Sequence, residues 1–125
     1  MRPSLNQTMM DIAKVLAKRG TCLRKQVGCV MVDAKGHILA GSYNGQAPGE
    51  SHCNDDRGCA ASIDPANSCE ATHAEINGLI RSDPEKVYAV YITEEPCMKC
   101  LRAIRNTSCV YVFFEKEGSL MEIQL

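Results

Sequence analysis

The sequence predicts an α/β domain in which helices cover a mixed sheet. Segments with helical apolar spacing alternate with short β-branched segments, in the order helix, strand, strand, helix, strand, helix, strand. This order contains two β-α-β crossovers, which are right-handed and join parallel strands, so the later strands should be parallel and covered by helices. A length of 125 residues suits about one domain. Residues 1–125 are therefore interpreted as a single domain.

The N-terminal part predicts a helix followed by an antiparallel hairpin. Apolar residues recur every three or four positions from Ser4 to Arg19, and Gly20 follows. Val27 to Val32 is short and rich in β-branched residues, and turn-forming residues separate it from a second apolar run, His37 to Tyr43. The two runs predict the first two strands.

The C-terminal part predicts two helices, each followed by a strand. His73 to Arg81 and Cys97 to Arg105 have helical spacing, whereas Val87 to Ile92 and Val110 to Phe114 are nearly continuous apolar strands. The tail from Glu115 to Leu125 has too few apolar residues to assign.

Composition narrows the function classes. The net charge is −1, so no global positive field attracts nucleic acid or an anionic membrane. The sequence has no apolar run that resembles a signal peptide or spans a bilayer, and we expect a reducing, cytoplasmic compartment. The sequence has eight cysteines, and in such a compartment cysteines grouped at short spacings are more often metal ligands or catalytic groups than disulfides. Cys29 and Cys109 lie in apolar segments and are interpreted as small buried hydrophobes.

Two short motifs, one at the start of each crossover helix, have the residue types and the spacing of a metal site. His73 and Glu75 open one crossover helix, and Cys97 and Cys100 follow Pro96 at the start of the other. This H-x-E and P-C-x-x-C combination is the signature of zinc deaminases that act on cytosine or adenine. Both helices follow strands that end at the same sheet edge, where the ligand sites of parallel sheets form. We therefore expect the three metal-ligating side chains to converge.

One histidine and two cysteines without a fourth nearby ligand are typical of a catalytic zinc. Three protein ligands leave a position open for water, whose pKa the metal lowers to about 7. Glu75 is placed to act as a base without being a ligand. Taken alone, C-x-x-C also fits a structural zinc, a redox pair or chance. Glu75 taken alone also fits a solvated helix carboxylate or a partner of the helix N-terminal dipole. Their combination favours deamination.

The residues around this signature resemble the cytidine and deoxycytidylate deaminase superfamily. The resemblance is closest to deoxycytidylate deaminases of bacteria and phages, together with the late-competence proteins. It extends from Thr21 to Phe114 and includes Thr21-Cys22, Val27-Gly28, Gly41-Ser42-Tyr43-Asn44-Gly45, His52-Cys53, Gly58-Cys59 and Cys69. The cysteine-bearing insert is the discriminating part, because the zinc signature also fits cytidine, guanine and transfer-RNA adenosine deaminases.

The resemblance implies a three-layer α/β/α sandwich, cytidine deaminase-like, around a mixed sheet of about five strands. It implies conversion of dCMP to dUMP, which feeds thymidylate synthesis, in a homo-oligomer of hexamer size or smaller. Carried over by residue, it assigns His73, Cys97 and Cys100 to Zn²⁺ and Glu75 to proton transfer. Activation by dCTP and inhibition by dTTP are common in this branch, and Mg²⁺ would accompany such effectors.

Substrate contacts also follow from the resemblance. Asn44 would contact the sugar, and backbone groups of Ala74 and of the Thr93 segment would hold the base edge. A further contact is suggested by charge and position and not by the resemblance. Arg24 and Lys25 precede the first strand and would meet a substrate phosphate as charge-assisted donors, although a solvated basic loop end is an equal alternative.

A second zinc would order the long segment 45–71, which has no apolar periodicity. Loops of this length in compact domains need some anchor besides a hydrophobic core. The segment contains cysteines, and the resemblance brings another cysteine toward the same place. A closed tetrahedral site would consist of Cys22, Cys53, Cys59 and Cys69, with His52 in reserve. The alternative is free thiols, or a disulfide in an oxidising compartment.

Two other function classes stay open at the level of sequence. The first is deamination of a different substrate, such as guanine, a nucleoside or a base in nucleic acid. The near-neutral charge argues against a polymer, because such enzymes need a basic groove. The second is a non-catalytic zinc-binding competence or interaction module, which would have no need of Glu75.

Overall fold

The computed structural model describes residues 1–20, 25–45 and 73–125. None of the helices in these ranges is long and apolar enough to cross a membrane. The elements in these ranges are, in chain order, α1 (Leu5–Ala17), β1 (Gly28–Val32), β2 (Ile38–Tyr43), α2 (Ala74–Ile80), β3 (Ala89–Ile92), α3 (Met98–Arg105), β4 (Tyr111–Lys116) and β5 (Ser119–Gln124).

The five strands form one mixed sheet in the order β2-β1-β3-β4-β5. Strand β1 is antiparallel to both β2 and β3, whereas β3 and β4 are parallel and β5 is antiparallel to β4. Strands β2, β3 and β4 therefore run in one direction. The parallel relation predicted from the two crossovers is confirmed, with the difference that β1 lies between β2 and β3.

The helices lie on both faces of the sheet. In β1, Cys29 and Met31 pack in the core beneath α2 and α3, whereas Val30 and Val32 pack with α1 on the other face. This alternation follows from the two-residue period of a strand. Helix α1 contributes Met10 to its core, which is fully buried. The predicted three-layer α/β/α arrangement is confirmed.

The helices begin close to the predicted residues. Ser4 caps α1, and its Oγ accepts a hydrogen bond from the Gln7 N–H at 3.1 Å. His73 and Cys97 are the cap residues of α2 and α3 and have extended backbones, with ψ of 148° and 164°. Both helices therefore start one residue later than predicted, because the cap residue itself is not helical.

Strand β5 forms from the tail that sequence analysis left unassigned. Lys116 and Ser119 are partners across a two-residue turn, in which Glu117 and Gly118 have positive φ of 53° and 79°. Positive φ at both central positions is the geometry that joins antiparallel strands tightly. The strand is mostly exposed, and Ile123 packs against the core. An edge strand with one partly buried position has little apolar periodicity to detect.

Two cysteines outside the signature are buried, which confirms their predicted role as small hydrophobes. Cys29 is fully buried in β1, and Cys109 is 7% exposed just before β4. Burial raises the pKa of the Cys29 thiol well above its ordinary value and raises the pKa of Cys109 to about 11. Both thiols therefore stay protonated at neutral pH.

Gly28→Ala is expected to destabilise the protein strongly. A Cβ at Gly28 would overlap the main chain of α1 at the Ala13 carbonyl, and backbone atoms cannot move aside cheaply. Overpacking of this kind lowers the free energy of unfolding by about 3 kcal/mol. Gly41→Ala is the control, because its Cβ would meet the flexible end of Leu16 at 2.8 Å. Urea unfolding measures both, and equal losses would contradict the packing argument.

Candidate active site

The starts of α2 and α3 meet at one edge of the sheet. The Nδ1 atom of His73 lies 3.2 Å from the Cys100 Sγ and 3.7 Å from the Cys97 Sγ. All three potential ligand atoms lie within 4.8 Å of one another. The structure therefore brings together the residues that the sequence signature joined.

Local structure explains how two of these ligands share one side of α3. Cys97 is the cap residue, and its Sγ accepts a hydrogen bond from the Cys100 N–H at 3.5 Å. The two cysteines differ in burial, since Cys100 is buried and Cys97 is exposed. One sulfur thus faces the protein core and the other faces the opening of the site.

The geometry of the three donors fits a tetrahedral zinc. Zinc bonds of about 2.0 to 2.3 Å at tetrahedral angles require N···S edges of about 3.6 Å and S···S edges of about 3.8 Å. The two N···S distances from His73, 3.2 and 3.7 Å, lie on either side of that value. One nitrogen and two sulfur donors also match the preference of zinc, and three ligands leave a fourth position.

Without a cation, the electrostatics of the site oppose a thiolate. Burial raises the pKa of the Cys100 thiol far above its ordinary range, and the nearby Glu75 carboxylate raises it further. A divalent cation would reverse this balance, because a metal ligates the thiolate and releases its proton. Cys100 and Glu75 are thus two buried acidic side chains that a cation would stabilise.

Glu75 is buried beside the three candidate ligands. It lies in the first turn of α2 and is 5% exposed, and with His73 and Cys97 it lines a cavity of about 170 Å³. Sequence analysis left three interpretations of this residue: a catalytic base, a solvated helix carboxylate and a partner of the helix N-terminal dipole. Its burial excludes the solvated carboxylate, and its place in the first turn of α2 fits both of the others.

The cavity has an apolar wall and a charged mouth. Its lining residues are Lys25, Val27, Asn44, His73, Ala74, Glu75, Ile92, Glu94, Glu95 and Cys97. The Lys25 Nζ lies 3.7 Å from a Glu94 carboxylate oxygen, and both side chains are about half exposed. Among the described residues of the lining, Lys25 is the one lysine or arginine. It places a positive charge next to the apolar wall of Val27 and Ile92.

Asn44 lines the cavity and also fixes its wall. Its Oδ1 accepts from the Val27 N–H at 2.8 Å, and its Nδ2 donates to the Lys25 carbonyl at 2.7 Å. Both ends of the buried amide are therefore bonded to the main chain that leads into β1. The predicted sugar contact stays a prediction, and any such contact would use the remaining N–H or lone pair of this amide.

Thr93 and Ala74, the predicted backbone contacts to the base, border the cavity differently. The Thr93 Oγ1 accepts from the Gly28 N–H at 3.1 Å, and the Thr93 N–H donates to the Gly28 carbonyl at 3.0 Å. Thr93 thus joins β3 to β1, while its neighbours Ile92 and Glu94 line the cavity. Ala74 lines the cavity directly, and its N–H belongs to a first helical turn, which lacks intrahelical acceptors.

The other predicted site residues lie outside the described ranges. These are Arg24, the proposed phosphate contact, and the ligands of the second metal, Cys22, His52, Cys53, Cys59 and Cys69. The predicted zinc-ordered segment 45–71 falls almost entirely there as well. These assignments stay predictions.

Sequence analysis missed some residues that shape the site. The sequence analysis assigns no site role to Glu94 and Glu95, yet both line the cavity, and Glu95 pairs with Lys116 at 3.5 Å. Their position just before Pro96 and Cys97 was an available signal. Ser42 was also missed, although a polar residue at an inward strand position was a second signal.

The comparisons with known proteins agree with this geometry. The profile of the family described as "Cytidine and deoxycytidylate deaminase zinc-binding region" matches residues 3–116. The chain belongs to this family. The resemblance found in the sequence is thereby confirmed.

The relatives of this deaminase-family domain include proteins from bacteria and phages. It is 32% identical to the ComE operon protein 2 of Bacillus subtilis over 93% of this chain but 61% of that protein. It is 30% identical to the deoxycytidylate deaminase of Mycobacterium phage D29, over 94% and 98% of the two chains. The crystal structure of dCMP deaminase from the cyanophage S-TIM5 in complex with dCMP and dUMP shares the fold, with a TM-score of 0.71, 24% identity and coverage of 91% and 82%.

Cys97→Ser is expected to remove one zinc per chain. Loss of a thiolate leaves two protein ligands, too few for a stable zinc site. The zinc content of the purified variant, measured by inductively coupled plasma mass spectrometry, should fall relative to the unsubstituted protein. Cys109→Ala is the control, because that thiol contacts the Tyr111 carbonyl and not the site. An unchanged zinc content in Cys97→Ser would contradict the ligand assignment.

Proposed function

We propose that this domain converts dCMP to dUMP and ammonia by zinc-dependent hydrolysis. The observation that carries the proposal is the convergence of His73, Cys97 and Cys100 beside the buried carboxylate of Glu75. Membership in the deaminase family supports the reaction. The similarity to a phage protein named deoxycytidylate deaminase over nearly the full length of both chains supports the substrate.

The proposed mechanism assigns a chemical task to each residue of the site. His73, Cys97 and Cys100 would hold zinc, which when bound acts as a Lewis acid and lowers the pKa of water to about 7. The Glu75 carboxylate would accept a proton from the attacking water and pass it to the ring nitrogen next to C4. Glu75 would then take the proton of the new C4 hydroxyl and give it to the departing amine, which leaves as ammonia. In balance, one water is consumed and the C4 amine is replaced by oxygen.

The cavity walls support the same substrate class. Val27 and Ile92 offer an apolar slot for a pyrimidine ring, and Asn44 holds the Val27 wall in place. Lys25 lies at the mouth of the cavity. On substrate binding, its ammonium would leave the ion pair with Glu94 and bind the substrate phosphate. Arg24, next to it in sequence, would be a second phosphate donor. These contacts would favour a nucleotide over a free base or nucleoside.

We further propose a second, structural zinc bound by Cys22, Cys53, Cys59 and Cys69, with His52 as the alternative ligand. The basis is that Cys53, Cys59 and Cys69 lie in a segment without apolar periodicity, and that the family resemblance brings Cys22 toward the same place. A zinc content of two per chain supports this site. The site is contradicted if the protein contains one zinc per chain and four of these side chains react with thiol or imidazole reagents in the folded state.

The family resemblance also motivates proposals about the cellular setting. The domain would act in the cytoplasm as a homo-oligomer, and its dUMP would feed thymidylate synthesis. With Mg²⁺, dCTP would activate it and dTTP would inhibit it. Size-exclusion chromatography with light scattering tests the assembly, and rate measurements with each nucleotide test the regulation.

A substrate panel tests the reaction directly. Zinc-loaded protein is incubated in parallel with dCMP, CMP, deoxycytidine, guanine and a single-stranded oligonucleotide, with dCTP and Mg²⁺ present, and products are identified by mass spectrometry. Selective formation of dUMP is the expected result. Turnover of guanine or the oligonucleotide would keep the chemistry but replace the substrate. No turnover of any substrate would favour the non-catalytic module.

Glu75→Gln is expected to lower kcat for dCMP by about 100- to 10,000-fold, the usual contribution of a general acid and base. The amide has a similar shape but does not accept the proton, so the fold and the zinc content should be retained. Glu85→Gln, an exposed carboxylate outside the cavity, is the matched control. Full turnover by Glu75→Gln would refute the proposed mechanism.

Lys25→Ala is expected to raise the KM for dCMP about 10-fold or more, as the loss of a charge-assisted hydrogen bond requires. The kcat/KM for deoxycytidine, which has no phosphate, should change little. Lys35→Ala in the exposed β1–β2 turn is the control. Parallel losses for dCMP and deoxycytidine would argue against a phosphate contact at this residue.

A further inference from the structure

A buried serine connects strand β2 to the first residue of α2. Ser42 is 5% exposed, and its Oγ donates a hydrogen bond to the Ala74 carbonyl oxygen at 2.7 Å. Ala74 stands between His73 and Glu75, one a proposed zinc ligand and the other the proposed acid and base. The Ser42 side chain does not line the cavity and would not touch the substrate.

The bonded carbonyl is covalently tied to the proposed catalytic residue. The Ala74 carbonyl and the Glu75 N–H belong to one planar peptide unit, which moves as a rigid body. A hydrogen bond to this oxygen therefore restrains the Ala74–Glu75 peptide unit, and with it the position of the Glu75 Cα. The same restraint acts on His73 through the other side of Ala74, because only two soft dihedral angles separate adjacent planes.

The packing of α2 against the sheet allows this bond to form. Gly78 faces β1 and β2, and a Cβ there would lie 3.0 Å from the Ser42 Oγ and 2.9 Å from the Met31 Cε. Its absence lets the helix come close enough for a direct hydroxyl contact. The Asn77 Nδ2 adds a second link, because it donates to the Tyr43 carbonyl at 2.9 Å. The end of β2 thus holds the first turn of α2 at two points.

We propose that Ser42 is a positioning residue for both Glu75 and His73. Its hydroxyl holds the Ala74 peptide so that the carboxylate and the imidazole keep the separation that metal binding and proton transfer need. Small displacements of such groups are costly in rate and in metal affinity. The predicted effect on turnover rests on the proposed deamination, whereas the predicted effect on metal binding does not.

The chain provides a matched control on the same helix. The Ser82 Oγ donates to the Gly78 carbonyl at 2.7 Å, the same bond type and length as the Ser42 bond, but at the far end of α2. Ser42→Ala and Ser82→Ala therefore each remove one hydroxyl-to-carbonyl bond to α2. The Ser42 bond is buried and comes from β2, whereas the Ser82 bond is partly buried and lies within four residues at the far end of α2. If both bonds only stabilise the helix, neither folded variant should lose Co²⁺ affinity or kcat.

The experiment compares these two variants by metal affinity and by kinetics. Co²⁺ affinity is measured from the thiolate absorption that is missing in Cys97→Ser, and the steady-state constants are measured with dCMP on the zinc-loaded protein. Ser42→Ala is expected to weaken Co²⁺ binding about 10-fold and to lower kcat about 10-fold, with KM within about 2-fold. Ser82→Ala is expected to change neither quantity by more than about 2-fold.

Each outcome decides between the two roles. A loss in Co²⁺ affinity or in kcat that is confined to Ser42→Ala supports positioning, and equal values for the two variants overturn it. If the unsubstituted protein does not turn over dCMP, the proposed function fails and the Co²⁺ comparison alone decides the role of Ser42. If Ser42→Ala yields no folded protein, Ser42→Cys takes its place, because a thiol keeps a similar shape but is a weak donor.

Discussion

Strand β1 lies between β2 and β3 and runs antiparallel to both, and the position of the site depends on this pairing. Because β2 and β3 are then parallel, both end at the same edge of the sheet. The described helices that come next along the chain, α2 and α3, begin at that edge with their cap residues, His73 and Cys97. Two strand spacings, about 10 Å, separate β2 from β3, a distance at which helices pack side by side.

Burial gives the converged side chains their chemical character. Cys100 and Glu75 are both withdrawn from water, and neither has a cationic side chain of the described residues as an ion-pair partner. A thiol in this setting keeps its proton, and the carboxylate strengthens that preference. A bound cation would stabilise the negative charge on both the Cys100 sulfur and the Glu75 carboxylate. Metal binding would therefore also stabilise the folded site. The same burial would strengthen the electrostatic interaction between the Glu75 carboxylate and a bound substrate.

The wall of the cavity is held by side chains that bond to main chain. Asn44 binds residues 25 and 27 from the end of β2, and Thr93 binds Gly28 from the end of β3. Side chains at the ends of β2 and β3 thus hold the main chain between Lys25 and the start of β1. Ser42 acts similarly on the opposite wall, through the first residue of α2. Hydrogen bonds from Asn44, Thr93 and Ser42, which have no proposed chemical role, therefore hold the backbone around the proposed reactive side chains.

The sequence by itself determined the fold class and the proposed metal ligands, because these depend on local patterns: the apolar period, the helix start after Pro96, and the spacing of His73 to Glu75. It did not reveal the position of β1 within the sheet, the β5 hairpin or the ion pair of Lys25 with Glu94. The tertiary structure also decided that Glu75 is buried and that Ser42 reaches Ala74. These features depend on strand order, register and the closeness of a helix to a sheet, which arise only when distant segments pack together.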